Sequence, residues 1–413
     1  MDDKTIIRDL AKKVQEFTQS DINKERRNLW RDHNSLVRTR PLLKIDTFAA
    51  KEVSEIQNLQ CVDPAMRDIE RYFRRTLYHI GLNDDTVFEP WFTVRAAFAY
   101  PEAYNMRWGS AISLVHSGHE GGAYNFDPVL KSEEDLNLLK MPHHEINETL
   151  TRERYEKAKD LLEDIITVRV DRSPFYKVWT GDVSTDIVYL RGLEQMMYDM
   201  IDSPEFIHKL ASFMSEGILS VHDTAEKAGD FTVADGENQA VIYARDLDDP
   251  VEMDGYGPSV TRDKMWMFCS SQETAIVSPS MWEEFILTYQ VPIYSKFGLL
   301  AYGCCEDLTR RIPILKKAFA NLRRIAVTPW ADFRGCAEQI GTDYVLSWRP
   351  SPADMVADNF DPERVRRTVS EALTMAKEHN NHIDITLKDV ETVSGNMNAV
   401  PGFVQVVREL IEA

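Results

Sequence analysis

Two thiols stand side by side at Cys304 and Cys305, and two carboxylates, Glu306 and Asp307, follow at once. A thiol acts as nucleophile or metal ligand only as its thiolate, and cations or a helix N-terminus favour that form. The apolar run Leu299–Tyr302 just before them reads as a buried strand, and Gly303 lets the chain turn without a Cβ penalty. A helical pattern from about Leu308 (Leu308, Ile312, Leu315, Phe319) comes next, with Asp307 as its expected N-cap. Thiols and carboxylates therefore gather between a strand's C-terminal end and a helix N-terminus. In α/β barrels that rim is where chemistry sits. A plainer reading competes: single Cys residues are commonly small buried hydrophobes, and two adjacent ones in a strand face opposite ways.

Other strand ends carry further candidates. Asp235 follows the run 230–234, Gln272 and Glu273 follow 265–269, and Trp330 and Asp332 follow 322–327. Trp348 and Arg349 follow 344–347, and Lys388 and Asp389 follow 383–387. If these strands are parallel, all of these ends share one rim. Glu273, Glu306, Asp332 and Lys388 are the candidates for acid–base or electrostatic catalysis. Cys304, Cys305 and Glu273 are the candidate metal ligands, since two thiolates and a carboxylate suit a borderline-soft ion such as Zn²⁺. There is no Cys-x-x-Cys and no His-x-Cys spacing to support them. Arg349 and Lys388 could fix one carboxylate or phenolate, and Trp330 and Trp348, with Tyr124 and Phe126, could wall a small planar ligand. Competing structural roles are a helix cap for Asp332, an ion pair for Lys388 with Asp389, and barrel-mouth packing for the two Trp.

The segment His116-Ser-Gly-His119-Glu-Gly-Gly-Ala-Tyr-Asn-Phe126 reads as a Gly-rich loop. It brings His116 and His119 within reach of a substrate or a metal, although an exposed loop with incidental His is the plainer reading.

Regular elements must hold these residues. Helical spacing covers Ile6, Ile7, Leu10, Val14 and Phe17, then a charged helix near 21–32, then 62–82. A short first strand is expected within 40–46 and a strand-like run within 88–95. From 151 onward, helices and strands alternate: a helix 151–166 capped by Thr151, a strand 166–170, helices 189–201 and 204–228, a strand 230–234, and a helix 278–297. The later strands alternate with helices 333–340, 362–378 (capped by Asp361) and about 401–411. Such alternation means parallel βαβ units, and about eight strands fit an eight-stranded α/β barrel. The expectation is a (β/α)8 TIM barrel over 83–413 with an N-terminal helical extension and first strand over 1–82. No Gly-x-Gly-x-x-Gly follows a strand, so a dinucleotide-binding sheet has no support.

Composition narrows the partners. The 413 residues carry a formal charge of −19, which argues against a nucleic-acid backbone as partner. No apolar run approaches the roughly 20 residues that cross a bilayer, and the Met-Asp-Asp-Lys-Thr start has no signal-peptide core. Five Cys without such a signal point to a reduced, cytoplasmic setting. A homodimer is compatible with this reading.

Residues 230–412 resemble the uroporphyrinogen decarboxylase superfamily. The resemblance is carried by Ser271-Gln-Glu-Thr-Ala-Ile-Val-Ser-Pro-Ser-Met-Trp-Glu-Glu-Phe285, Tyr302-Gly-Cys-Cys-Glu-Asp307 and Asn321-Leu-Arg-Arg-Ile325. It continues through Pro329-Trp-Ala-Asp332, Tyr344-Val-Leu-Ser-Trp-Arg-Pro350 and Leu387-Lys-Asp389. The Tyr-Gly-Cys-Cys-Glu segment resembles a branch grouped with corrinoid-linked methyltransferases. What this implies is a TIM barrel and a zinc-dependent transfer of a methyl group. The donor would be small, for instance an aryl methyl ether, and the acceptor a cobalamin-type corrinoid on a partner protein. Zinc would act on the donor oxygen as Lewis acid. In the superfamily's coenzyme M methyltransferases a His-x-Cys motif binds zinc together with a later Cys. Here the aligned positions are Gly303 and Cys305, and no Cys follows Cys336. Glu273, Cys304 or a loop His would then complete the set. Two alternatives stay open: a metal-free decarboxylase with Arg349 and Lys388 as carboxylate clamps, and a non-catalytic barrel that holds a corrinoid or tetrapyrrole.

Overall fold

The computed structural model describes residues 2–99, 106–116, 124–175, 181–233, 241–357 and 360–412. Eight parallel strands carry the architecture among them. They are β1 (Leu42–Ile45), β2 (Trp91–Arg95), β3 (Thr167–Asp171), β4 (Trp266–Cys269), β5 (Leu299–Tyr302), β6 (Leu322–Val327), β7 (Val345–Trp348) and β8 (His382–Leu387). Six of them form one sheet in the order β1-β8-β7-β6-β5-β4. β2 and β3 form a second sheet with the short strand Gly255–Tyr256. The first and last strands are neighbours, in the register Leu42↔Asp384 to Ile45↔Leu387, as a barrel requires. Among the described residues, however, no ladder joins the two sheets. The fold is therefore an α/β half-barrel with N-terminal helices, and the expected closed eight-stranded TIM barrel is corrected to that extent.

The six-stranded sheet ends on β4 at one side and on β1 at the other. The free edge of β1 is already taken by the pair Asp84–Asp85. Asp85 N donates to Leu43 O at 2.7 Å, Leu43 N donates to Asp85 Oδ2 at 2.8 Å, and Ile45 N donates to Asp84 Oδ2 at 2.6 Å. A strand edge whose donors are met by carboxylates cannot ladder with β2.

Strand alternation sorts the sheet's two faces. Leu43, Ile45, Met267, Leu300, Ile385 and their equivalents pack outward in the main core, under the helices. Leu42, Trp266, Phe268, Leu299 and Ala301 face the concave side, where Trp30 of the helix Asp21–Asn34 joins them. Above that floor lies a polar layer. Arg324 Nη2 donates to Asp384 Oδ2 at 2.8 Å, Ser347 Oγ donates to Asp384 Oδ1 at 2.9 Å, and His33 Nε2 lies 3.1 Å from Asp384 Oδ2. Burial opposes charge on Asp384, yet Arg324 and His33 hold its carboxyl down at about 2. The N-terminal helix Asp3–Thr18 packs with Pro64–Leu82, β2 and β3 in a separate core built on Ile7, Val14, Phe73 and Val168. No helix among the described residues is long and apolar enough to cross a membrane.

Several local expectations need correction. Residues 230–233 are not a strand. The helix expected over 189–201 is two, Ser184–Arg191 and Leu193–Asp202, because Gly192 takes φ +87° between them. The helix expected to start at Thr151 runs Glu148–Leu162 and is capped by Asn147, whose side chain accepts from Leu150 N. Asp307 does not cap a helix at Leu308. It accepts from Thr309 N at 2.8 Å in a turn, and the helix spans Ile312–Ala318. Other elements fall where the periodicity placed them, among them β5, β6 and the helices Pro204–Ala228, Phe333–Ile340 and Pro362–Glu378.

Gly303 ends β5 with φ +107°, and a Cβ there would lie 2.6 Å from Leu308 Cδ1 and 2.8 Å from Ala326 Cβ. Both the backbone and the space demand glycine. Gly303→Ala is expected to lose about 2–4 kcal/mol of stability, the sum of a strained φ and an overpacked contact. Urea denaturation measures it, and a change below about 0.5 kcal/mol, the size of an ordinary surface substitution, would show that the turn relaxes freely.

Candidate functional site

The thiols sit on the turn that leaves β5, at the C-terminal end of the sheet. Gly303 N donates to Cys269 O at 2.7 Å, so the turn starts from the β4–β5 ladder. Two charged side chains then clamp it. The fully buried Glu306 carboxylate accepts from Cys304 N and from Ser271 N, both at 2.9 Å. From the other side Arg349 Nη1 donates to Gly303 O at 2.7 Å and to Cys304 O at 3.1 Å. Glu306, a candidate catalytic acid in the sequence, is thus placed where it organises the turn.

The result is an asymmetric thiol pair. Cys304 is buried and Cys305 exposed, with the two Sγ atoms 3.4 Å apart and unbonded. Lys388 Nζ donates to Cys305 Sγ at 3.1 Å and also pairs with Asp389. The hydrogen bond from Cys304 and the Lys388 ammonium favour the Cys305 thiolate, and they hold its pKa down at about 6 against the cost of burial. The same bond and burial push the Cys304 thiol well up, so it keeps its proton and acts as donor. The remaining thiols are unreactive by comparison. Burial pushes Cys336 up to about 11 and Cys61 up to about 12, and it raises Cys269 as well.

The other candidates scatter. Asp332 is an exposed helix cap, accepting from Gly335 N at 3.1 Å. Trp330 is 75% exposed. Trp348 lies in the outer core against Phe333, ring centroids 5.7 Å apart, on the face opposite Arg349. His116 ends a strand, Ser113–His116, that pairs antiparallel with Tyr124–Asp127, so part of the expected loop is a hairpin. His119 and Asp235 lie outside the described residues. Among the described residues no three His, Cys, Asp or Glu side chains are gathered as a metal site, and this includes Cys304, Cys305 and Glu273. The partner that the structure gives Cys305 is an ammonium, where a metal site would place a cation. Among the described residues the donors at this turn do not make up a zinc set.

Glu273 instead belongs to a group that the strand-end reading missed. Its carboxylate accepts from Ser184 Oγ and from Thr185 Oγ1, each at 2.9 Å. Thr185 Oγ1 also lies 2.5 Å from Asp182 Oδ2. A hydroxyl has one proton, so two charged carboxylates would leave one of these contacts without any. Burial and the neighbouring charges of Glu273 and Asp186 push the Asp182 carboxyl well above its usual range, which supplies the missing proton. Between them Val183 holds φ +68°, unusual for a β-branched residue, while Gln290 Nε2 pins Asp182 O at 2.7 Å. The legible signal was Asp182-x-x-Thr185 before a helix, an N-cap pattern.

No protein-family model matches this chain, and no curated protein matches it. Among solved structures it is similar to a methyltransferase from Methanosarcina mazei at 10% identity, with a TM-score of 0.49, over 94% of this chain and 98% of that one. The chemistry of the site rests on its own geometry.

Two outcomes follow from these geometries. The rate of Cys305 alkylation by iodoacetamide should rise with pH through a midpoint near 6, as the lowered pKa requires. Lys388→Met should move that midpoint upward, because the ammonium stabilises the charged form. Mass spectrometry of the labelled peptide reads both, and an unchanged midpoint in the variant would detach Lys388 from the thiolate. For Asp182 the raised pKa means that the native state holds a proton the unfolded chain releases above pH 3.8. Stability is therefore lost as pH rises from that value towards the folded pKa. Asp182→Asn should fold and show a shallower loss in that window by thermal melts. A steeper loss in the variant would contradict a protonated Asp182.

Proposed function

We propose that this chain is an enzyme of methyl transfer in which the Cys305 thiolate takes the methyl group from a small donor and hands it on. The observation that carries the proposal is the exposed thiol held between a buried S–H donor and an ammonium, 3.4 and 3.1 Å away. This is how a thiolate is kept charged at neutral pH yet open to a substrate. In the first step a lone pair on Cys305 Sγ attacks the methyl carbon of a methyl ether. The S–C bond forms, the C–O bond breaks, and its electron pair leaves on oxygen. The Lys388 ammonium stands beside the thiolate, where it can donate a proton to that oxygen and lower the barrier to departure. In the second step an acceptor nucleophile attacks the same methyl carbon, the C–S bond breaks, and the thiolate is restored.

The sequence resemblance supports methyl transfer and suggests the acceptor. A thioether gives up its methyl group only to a strong nucleophile, and a reduced corrinoid supplies one. The corrinoid would belong to a partner protein, met at the C-terminal rim where Cys305 is exposed. The glutamate and aspartate pair Glu273 and Asp182 lies on the adjoining loops and is available for proton traffic. A metal-free decarboxylase gains no comparable support, since that chemistry leaves the paired thiols without a part.

Cys305→Ser should abolish methyl transfer from a methoxylated aromatic donor to added cob(I)alamin while the protein keeps its fold. Cys336→Ser, in a buried thiol hydrogen-bonded to Thr309 Oγ1 at 3.4 Å, should leave transfer nearly unchanged. Mass spectrometry after donor alone should find Cys305 heavier by one methyl group. Activity that survives Cys305→Ser, or that vanishes when zinc is stripped by chelator from the wild type, would reject the thiolate mechanism.

A further inference from the structure

Near the C-terminal end of the six-stranded sheet the concave face carries buried donors that exceed their acceptors. Alternation along β4, β7 and β8 puts Ser270, Arg349 and Lys388 on that face, opposite Cys269, Trp348 and Leu387 of the outer core. Arg349 N donates to Val327 O at 2.9 Å, so the β7 pattern continues through it. The residue is 6% exposed. Its Nη1 is used by the Gly303 and Cys304 carbonyls, but its buried Nε has no acceptor. The hydroxyl of fully buried Ser270 has none either.

The neighbouring cations are different. Arg324, in the layer below on the same face, pairs with Asp384 at 2.8 Å. Lys388 pairs with Asp389 and Cys305, and Lys44, on the adjacent strand, pairs with Asp46. The chain has 67 acidic residues, yet among the described ones none pairs with Arg349. A buried donor without an acceptor costs about 1–3 kcal/mol, and more when it is charged. A buried guanidinium edge left without an acceptor can take one from a ligand.

We infer that Arg349 binds the carboxylate of the substrate, so that the donor is a small monoanionic acid bearing the methyl group. This deepens the proposed methyl transfer and rests on it for the donor's role. The free Nε edge of a planar guanidinium matches a carboxylate in geometry as well as charge. The two carbonyl bonds fix the guanidinium plane against the thiol turn. A carboxylate bound there therefore leaves the rest of a small ligand beside Cys305, one residue from an Arg349 contact. One uncommitted guanidinium neutralises one carboxylate, which disfavours polycarboxylate ligands.

Calorimetric titration with para-methoxybenzoate and its neutral analogue para-methoxybenzamide tests this. The wild type should bind the acid at least about tenfold tighter than the amide, the lower end for a charge-assisted hydrogen bond. Arg349→Gln should erase that preference, read as the ratio of acid to amide affinity, while Arg349→Lys should keep part of it. Because Arg349 also holds two carbonyls, a wild-type measurement stands beside the variants: the acid should slow iodoacetamide alkylation of Cys305, and the amide should not. Equal affinity for acid and amide, with no protection by the acid, overturns the Arg349 assignment even when Cys305 alkylates with its expected pH profile. Failure of the methyl-transfer reading looks different: Cys305 gains no methyl group while the acid still binds in preference to the amide.

Discussion

A turn of four residues, Gly303 to Glu306, is held from both sides by charge. The Glu306 carboxylate takes the amide protons of Cys304 and Ser271, and Arg349 takes the carbonyls of Gly303 and Cys304. Every other feature of the rim refers to this clamp. It joins the β4 loop to the β5 loop, fixes which thiol faces inward, and sets the guanidinium against the turn. Without Glu306 two buried amides would lose their acceptor, at about 1–3 kcal/mol each. A carboxylate and a guanidinium that would otherwise be unmet charges in a low dielectric instead satisfy backbone that cannot ladder.

The concave face is built in layers that grow more polar towards the rim. Trp30 and its apolar neighbours fill the floor, and Arg324 with Asp384 forms a closed ion pair above them. At the top the charges are arranged around open chemistry. Lys388 faces a thiolate, and Arg349 faces backbone with one edge to spare. The lower layer has a carboxylate for its guanidinium, and that contrast makes the upper one informative. Attraction between fixed charges stabilises a site only where water is kept away, and burial of Arg349 and Lys388 provides that condition.

At the β1 edge of the half-barrel, side chains stand in for backbone pairing. Asp84 and Asp85 supply acceptors along the edge of β1 where a second strand would supply carbonyls. The same Asp85 carboxylate pairs with Arg40 at 2.8 Å and with Arg408 at 2.9 Å, so the seam ties the start of the chain to its last helix. Order of strands is retained across the seam while hydrogen bonding is not.

Periodicity and punctuation alone determined much of this protein. The apolar run at 299–302, the helix from Pro204 to Ala228, the Asp332 cap and the turn at Gly303 are local facts, governed by side-chain spacing and backbone sterics. The thiols at a strand end were likewise legible, because alternation of strands and helices places such ends together. Tertiary structure decided the rest. It made Glu306 a backbone clamp, turned Trp348 away from the rim, and brought Lys388 to Cys305 across 83 positions of sequence. It tied Glu273 to Asp182 through Thr185, which no strand-end rule would find. It also decided that the edge of β1 is met by carboxylates some 40 positions away in sequence. The physical reason is common to all of these. Pattern along the chain specifies which face a residue takes, whereas charge, protonation and partnership depend on which other faces are folded against it.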